Sequence, residues 1–175
     1  MNHLVYLTPK QTERLIIRSL KREDAEPWKA FLNDPICTKY FPEEFLASEN
    51  LSELWIESQL KRYDDQRFGL MAVEEKASGR FIGQCGLLHQ KINGEDELEI
   101  GYHLFREYHG LGYASEAAQF FKKIGFHFTD VPSIISLIHP QNKPSQMVAT
   151  KNGMSPTGVT TYKGEEAVIY RVSKA

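Results

Sequence analysis

The segment from Glu97 to Phe128 constrains the fold more than any other part of the sequence. In its first part, Leu98, Ile100, Tyr102 and Leu104 alternate with Glu97, Glu99, Gly101 and His103. This two-residue period is typical of a strand with one apolar and one polar face. Gly110-Leu111-Gly112 follows, and small or apolar residues then recur at three-and-four spacing, which predicts a long amphipathic helix. The chain is therefore expected to pass from a strand through a glycine turn into a helix.

A turn of this kind is suited to binding phosphate. Glycines adopt backbone conformations that other residues resist and leave room for a ligand, and the helix that follows supplies unpaired N–H groups and the positive end of its dipole. The turn lacks the third glycine and the following acidic strand of a dinucleotide-binding unit, and it lacks the Gly-Lys-Ser/Thr ending of a P-loop. A Gly-x-Gly pair also occurs in ordinary tight connections, so the motif alone leaves both interpretations open.

The other patterns predict an α/β (α+β) fold with a mixed, mostly antiparallel sheet of about seven strands flanked by about four helices. Asn50 and Glu53 have the spacing of a capping box, and Leu51, Leu54, Trp55 and Ser58 mark one face of the helix that follows. Gly153 stands where a left-handed helix cap is expected. The predicted strands are 14–20, 68–75, 80–90, 97–104, 133–139, 155–162 and 167–172, and the predicted helices are 23–33, 50–65, 113–128 and 144–152.

Composition narrows the class of protein. The chain has 175 residues and a net charge of −2, which favours a single domain over residues 1–175 and gives no global positive field for binding nucleic acid or anionic lipid. No run of about 18 apolar residues and no secretory signal is found, so we expect a cytoplasmic protein without a membrane partner. Cys37 and Cys85 form no CxxC pattern, and the histidines show no metal-ligand spacing, so no metal is expected.

The glycine turn and four further motifs resemble the GNAT acyltransferases, in particular the branch of ribosomal-protein N-terminal acetyltransferases (RimJ/RimL-like). The resemblance covers nearly the whole chain in order and spacing. One position departs from the family motif Q/R-x-x-G-x-G/A, because Glu107 stands at the Gln/Arg position and Arg106 precedes it. The matching segments are Thr12–Arg18 followed by Asp24, Glu99–Tyr102, Gly110–Ala117, Asn142–Ser145 and Lys151–Met154.

The resemblance implies where acetyl-CoA would lie. Its pyrophosphate would bind the amides of residues 107–112 and the start of the following helix, and backbone groups around Tyr102 to Leu104 would pair with the pantetheine arm. One of these N–H groups would polarise the thioester carbonyl. Asn142 would bind pantetheine from the opposite side, with helix capping as the alternative role. The implied cofactor-binding residues are Tyr102, Leu104, His109, Gly110, Gly112, Ala114, Ser115 and Asn142.

Acetyl transfer to an amine requires a group that accepts the amine proton and a group that protonates or stabilises the thiolate. Glu99 is the first candidate for the base, directly or through water, if burial raises its pKa. His103 on the same face is the alternative base, and a solvated strand charge like Glu97 is the plain alternative. Ser145 is the candidate acid, with helix capping as an equally good interpretation. Cys85 has no recognisable nucleophile setting, which favours direct transfer.

The acceptor is less well defined by the sequence. Tyr40 and Phe41, in a loop beside Pro42, are expected to line the acceptor pocket. The function expected is transfer of acetyl from acetyl-CoA to a primary amine, perhaps a protein N-terminus. A small-molecule acceptor and a non-catalytic CoA-binding module are the alternatives, and a monomer and a homodimer both remain open. Acidic residues near the loop favour a cationic acceptor, although a solvated helix entrance explains them equally well: Glu43, Glu44, Glu49 and Glu53.

Overall fold

The computed structural model describes residues 3–175, which form eight strands and six α-helices. The strands are β1 Lys10–Gln11, β2 Leu15–Arg18, β3 Leu70–Glu75, β4 Phe81–Ile92, β5 Glu95–Leu104, β6 Ser133–Ile138, β7 Ser155–Tyr162 and β8 Glu165–Ser173. The helices are α1 His3–Leu7, α2 Ala25–Leu32, α3 Glu43–Leu46, α4 Leu51–Asp64, α5 Tyr113–Phe128 and α6 Lys143–Lys151, with short 3-10 helices at Arg22–Asp24 and Arg106–Tyr108.

All eight strands belong to one sheet, in the order β1-β2-β3-β4-β5-β6-β8-β7. Neighbouring strands are antiparallel except β5 and β6, which are parallel and pair only where Glu99 meets Ile135. The Ser136 hydroxyl still donates to the Ile100 carbonyl at 2.8 Å. On its other edge, β5 pairs with β4 as far as Leu104. The edge of β5 beyond Ile100 therefore has backbone groups that face no neighbouring strand.

Helices cover both faces of the sheet. Helix α5 packs against β4 and β5, and a Cβ at Gly125 would lie 2.6 Å from Ile134 Cδ1, so glycine at this position allows the close approach of the helix without displacing Ile134. On the opposite face α2 and α4 pack together around the fully buried Trp28 and Ile56. The alternation along β5 thus directs Leu98 and Ile100 toward α5, while Glu99 and His103 point to the other face.

The mixed, mostly antiparallel sheet and its α+β class are as predicted. The sequence patterns missed three short elements, β1, α1 and α3, because two to five residues give too little periodicity to detect. The left-handed cap at Gly153 is confirmed by its φ of 81°. Part of the N-terminal segment that was searched for a secretory signal, Met1 and Asn2, lies outside the described residues.

The predicted start of α4 was wrong in two respects. Asn50 adopts a left-handed backbone conformation and makes no side-chain capping hydrogen bond, so there is no capping box. The buried face consists of Ser52, Ile56, Gln59 and Tyr63, whereas Leu54 is 57% exposed. The polar members of this face are buried because they hydrogen-bond the backbone; Ser52, for example, donates to the Ala25 carbonyl at 2.5 Å.

Over residues 3–175, no helix is both long enough and apolar enough to cross a membrane.

Candidate active site

The glycine turn presents a row of backbone N–H groups at the start of α5. Gly110 and Gly112 have φ values of 75° and 85°, a region that favours glycine. The first hydrogen bond of the helix runs from the Glu116 N–H to the Gly112 carbonyl at 3.0 Å, so the N–H groups of Tyr113, Ala114 and Ser115 have no acceptor within the helix. A Cβ at Gly110 would meet nothing within 4 Å. The turn is therefore open on the side where a ligand could approach.

The back of the turn is held by Arg14 at the start of the second strand. Its guanidinium donates to the Leu111 carbonyl at 2.9 Å and to Glu116 at 2.7 Å, and it lies 4.4 Å from the centre of the Tyr113 ring. Thr12 also donates to Glu116, at 2.5 Å. Because the C=O and N–H of a trans peptide point in opposite directions, fixing the Leu111 carbonyl on the Arg14 side directs the Gly112 N–H to the other side. The sequence analysis missed this role of Arg14.

His109 and Glu107 flank the turn in different ways. The His109 Nε2 lies 2.8 Å from the Leu104 carbonyl, so the ring ties the start of the turn to the end of β5. That carbonyl, predicted among the groups that pair with pantetheine, thus already has a partner within the chain. Glu107 is exposed and forms no ion pair with another described residue.

Glu99 lies where β5 and β6 begin to separate. Only 7% of the residue is exposed, and its carboxylate accepts a hydrogen bond from Gln90 Nε2 at 2.7 Å. Burial raises the pKa of Glu99, and the Gln90 hydrogen bond, the Lys163 charge and the Leu137 N–H oppose that shift only in part. Glu97 differs, because it forms a two-pronged ion pair with Arg171 at 2.5 and 3.0 Å. The structure therefore separates the two carboxylates that the sequence could not distinguish.

His103 shares the face of Glu99 but has an apolar environment. The rings of Phe31, Phe41 and Trp55 lie edge-on to the imidazole, with ring centres 5.3–5.8 Å away. Burial lowers the pKa of His103 to about 4, with a smaller contribution from Lys163. The ring is thus neutral at pH 7.

Gln84 lies opposite His103 in the β4–β5 register. Its Oε1 accepts from Trp55 Nε1 at 2.9 Å, while its Nε2 is buried and has no hydrogen-bond partner among the described residues. One buried donor beside His103 therefore has no partner within the described residues.

Ser145, Tyr102 and Asn142 meet at the start of α6. The Ser145 hydroxyl donates to the Tyr102 hydroxyl at 3.0 Å, and that hydroxyl donates to the Ser145 carbonyl at 2.9 Å. Asn142 is the N-cap, since its side chain accepts from the Ser145 N–H at 3.2 Å. The capping interpretation is confirmed for Asn142 and wrong for Ser145, which leaves the Ser145 hydroxyl free of that role. The Tyr102 hydroxyl is a group at this position that the sequence analysis did not consider.

The two aromatic residues expected to line the acceptor pocket point to different places. Phe41 packs against Trp55 and His103, on the face of the sheet that carries Glu99. Tyr40 instead stacks on His139, with ring centres 4.7 Å apart, and donates to the Gln141 carbonyl at 2.9 Å. Phe41 therefore lies on the face of the sheet that carries Glu99, while Tyr40 packs against the loop that precedes Asn142.

The two cysteines are poorly suited to carry an acyl group. Burial raises the pKa of Cys37 to about 11 and also raises that of the buried Cys85. Both thiols are protonated at neutral pH, and the thiol form is a weak nucleophile. Throughout residues 3–175, no group of three or more His, Cys, Asp or Glu side chains could hold a metal ion.

Comparison with known proteins identifies the family. The Acetyltransferase (GNAT) domain family matches residues 14–155. "Uncharacterized protein YkkB" of Bacillus subtilis (strain 168) is 33% identical over 144 residues, which cover 82% of this chain and 83% of the relative. "Uncharacterized N-acetyltransferase p20" of Bacillus licheniformis is 32% identical over 143 residues, which cover 77% and 75%.

Solved structures with the same fold superpose on almost the whole length of this chain. An acetyltransferase from Agrobacterium tumefaciens str. C58 superposes with a TM-score of 0.79 at 25% identity, over 95% of this chain and 94% of that one. RimL, a ribosomal L7/L12 alpha-N-protein acetyltransferase in complex with coenzyme A, gives 0.72 at 14% identity, over 93% and 95%, a likeness of fold alone. The GNAT fold binds acetyl-CoA. This chain belongs to the GNAT family and is an N-acetyltransferase.

Proposed function

We propose that the protein transfers an acetyl group from acetyl-CoA directly to a primary amine, with Glu99 as the base and Ser145 as the acid. The observation that carries this proposal is the buried Glu99 carboxylate at the point where β5 and β6 separate. A carboxylate of raised pKa is better matched to proton transfer near neutral pH than a solvated one. His103 suits this task less well, because its pKa of about 4 makes the ring a weak base.

The proton transfers balance as follows. Glu99 removes a proton from the amine, directly or through water, as the new C–N bond forms and the C–S bond breaks. Ser145 gives a proton to the departing sulfur and regains one from solvent, while the Tyr102 hydroxyl, 3.0 Å away, orients the Ser145 hydroxyl. Glu99 later releases its proton to solvent. The cysteines take no part, because both thiols are protonated.

Acetyl-CoA fits the groups that the chain presents. Gly110, Gly112, Ala114 and Ser115 would hold the pyrophosphate through backbone N–H groups, since no Cβ blocks Gly110 and the helix start has free donors. Backbone groups of β5 near Tyr102 face no strand and would hold the pantetheine arm, and one N–H there would stabilise negative charge on the carbonyl oxygen. Asn142 uses Oδ1 for its cap, which leaves its Nδ2 for the same arm. When bound, acetyl-CoA supplies the activated acyl group.

A protein N-terminus is one acceptor that this proposal includes. Its support is the fold shared with RimL, which is named for acetylating a ribosomal protein. The small-molecule alternative retains the same residues and differs only in what fills the Phe41 side of the pocket.

The experiment that tests the proposal is a thiol-release assay on the full chain with acetyl-CoA and a panel of amines and peptides. Glu99→Gln should lower kcat about a hundredfold or more, the usual contribution of a general base, with little change in KM for acetyl-CoA. Ser145→Ala should lower kcat by a smaller factor, because Tyr102 and solvent can still supply a proton.

The matched control is Glu97→Gln, on the same strand and the same face. This substitution breaks the ion pair between Glu97 and Arg171 and should lower the free energy of unfolding by about 1 kcal/mol. The value of kcat should stay within about twofold of that of the unmodified protein. Turnover by Glu99→Gln equal to that of the unmodified protein would remove Glu99 as the base, and absence of thiol release with every acceptor would contradict direct amine acetylation.

A further inference from the structure

Two cations near Glu99 take no part in the proposed proton transfers. Arg62 on α4 and Lys163 in the β7–β8 turn both lie within electrostatic reach of the Glu99 carboxylate and of each other. Arg62 also lies within electrostatic reach of Tyr162. With His103 neutral, two cations without an ion-pair partner, Arg62 and Lys163, therefore lie near the single carboxylate of Glu99.

Arg62 is partly buried without a carboxylate partner. Arg18 and Arg171 have a similar degree of burial, and each forms ion pairs at 2.5–2.8 Å. Arg62 forms no ion pair with any other described residue, and burial lowers its pKa. A guanidinium that loses hydration without gaining a counter-charge is costly, so an anion delivered by a ligand would be favoured there.

Lys163 is held at the same place by its turn. Lys163 and Gly164 both have positive φ values, 51° and 82°, as in the two-residue turn of a tight hairpin. The ammonium lies 5.2 Å from the centre of the Tyr162 ring and 5.7 Å from that of Phe45. The Tyr162 hydroxyl accepts from Gln90, which also donates to Glu99. Lys163 is an exposed residue on the same side as the base and, among residues 3–175, has no ion-pair partner.

We propose that Arg62 and Lys163 form a subsite for an anionic group of the acceptor, so that the preferred substrate is an amine carrying a carboxylate a few bonds from its nitrogen. This inference rests on the proposed function, since it requires the amine to reach Glu99. A free amino acid and a peptide with an acidic residue next to its N-terminus both present this chemistry. The acidic residues that favoured a cationic acceptor do not neutralise these cations: Glu43 and Glu44 are exposed on α3 and form no ion pair with Lys163 or Arg62, and Glu53 pairs with Lys29 at 3.2 Å.

The test compares acceptors that differ only in the anionic group. One arm pairs an amino acid with its carboxamide, and the other pairs the peptides Ser-Asp-Phe and Ser-Asn-Phe; kcat/KM is measured for each by thiol release. The unmodified protein should prefer the anionic member of at least one pair about tenfold, the effect expected of two partly exposed charge pairs. The arm that shows the preference identifies the source of the carboxylate.

Two variants assign the preference to this subsite. Lys163→Asn removes the charge and keeps the turn, because asparagine tolerates positive φ; the preference should fall below about threefold. Lys163→Arg keeps the charge and should retain it. Lys123→Met, an exposed lysine on α5, is the control and should change nothing. The preference is the ratio of kcat/KM for the anionic acceptor to kcat/KM for its neutral partner. Dividing this ratio for each variant by the same ratio for the unmodified protein cancels the difference in intrinsic reactivity between the two amines.

The outcomes separate this inference from the proposed function. Turnover without a preference for the anionic member, or a preference that Lys163→Asn and Arg62→Gln both leave unchanged, overturns the subsite while direct acetylation stands. Failure of every amine to release thiol overturns both. A preference that is lost in Lys163→Asn and retained in Lys163→Arg supports the subsite.

Discussion

The cofactor end of the proposed site consists of backbone groups, whereas the acceptor end consists of side chains. At the glycine turn, residues 110–115 present backbone N–H groups, and the side chains that matter, such as Arg14, lie behind the turn. Around Glu99 the groups that face the acceptor are side chains contributed by several elements: α4, β5 and the β7–β8 turn. The comparison teaches that the cofactor end should depend on backbone geometry, whereas the acceptor end should depend on charge and pKa.

Dependence on pH is the strongest way to test the acceptor end. The base must be ionised, so kcat/KM should rise with pH about tenfold per unit below the raised pKa of Glu99 and then level off. The Lys163 and Arg62 charges and the Gln90 hydrogen bond face this carboxylate and moderate the shift. His103 cannot give a limb above pH 5, because its pKa is about 4. The profile is measured at saturating acetyl-CoA, and a rate limb that persists in Glu99→Gln would assign the limb to another group.

Stability should show the opposite dependence on pH. Because burial raises the pKa of Glu99, folding favours the protonated form. The resulting stabilisation is fully present below the pKa of an unfolded glutamate and is lost as pH rises through the raised value. Glu99→Gln should remove this pH dependence from the free energy of unfolding measured with urea. The ionised carboxylate that is needed for activity therefore lowers stability.

At the cofactor end, the sharpest change is a β-branched residue at Gly112. Gly112→Val places valine at a φ of 85° with its Cβ 3.2 Å from Arg14 Nη2, so the turn must distort. KM for acetyl-CoA should rise about tenfold or more, with a smaller effect on kcat at saturation. The control is Gly94→Val, which has a φ of 88° and open space around it in the β4–β5 hairpin. It should lose stability without any change in KM; equal KM effects in both variants would mean that the turn does not bind the cofactor.

Substitutions of Arg14 test whether the side chains behind the turn affect cofactor binding by positioning the backbone of the turn. Arg14→Met should raise KM for acetyl-CoA about fivefold, because the Leu111 carbonyl loses its donor and the Gly112 N–H is no longer fixed in direction. Arg14→Lys should not restore it, since one ammonium cannot replace the separate contacts to Leu111 and Glu116. Arg22→Met, at an exposed ion pair with Glu57, provides the comparison. A change in kcat alone for Arg14→Met would contradict a positioning role.

The two ends also differ in how well the sequence predicts them. The turn was predictable because its strand, glycines and helix are contiguous, and the dihedral requirement of Gly110 and Gly112 is a local property. The surroundings of Glu99 were not, because Phe41, Trp55, His103 and Lys163 come together only when α4 packs on the sheet and the β7–β8 hairpin joins its edge. The burial that raises the pKa of Glu99 depends on the same packing, so the sequence could name this residue as a candidate but could not show that it is buried.

The start of α6 shows the same limit on a smaller scale. Asn142 and Pro144 mark a helix start in the sequence, and the cap at Asn142 follows from local geometry. The contact between Ser145 and Tyr102 joins residues 43 positions apart and has no local signal. A search for an acid within the helix alone therefore could not find the tyrosine hydroxyl.

The smallest expected effect lies at the one residue that departs from the family motif. Glu107 is exposed and near the turn, but the donors of the turn are backbone N–H groups that do not depend on this side chain. Glu107→Gln removes only a screened repulsion toward pyrophosphate, so KM for acetyl-CoA should fall about twofold, and less at high salt. Glu107→Ala should behave in the same way, because the gain comes from losing a charge. A tenfold gain with glutamine but not with alanine would instead show that this position binds the cofactor through its side chain, and the backbone account of the cofactor end would have to include it.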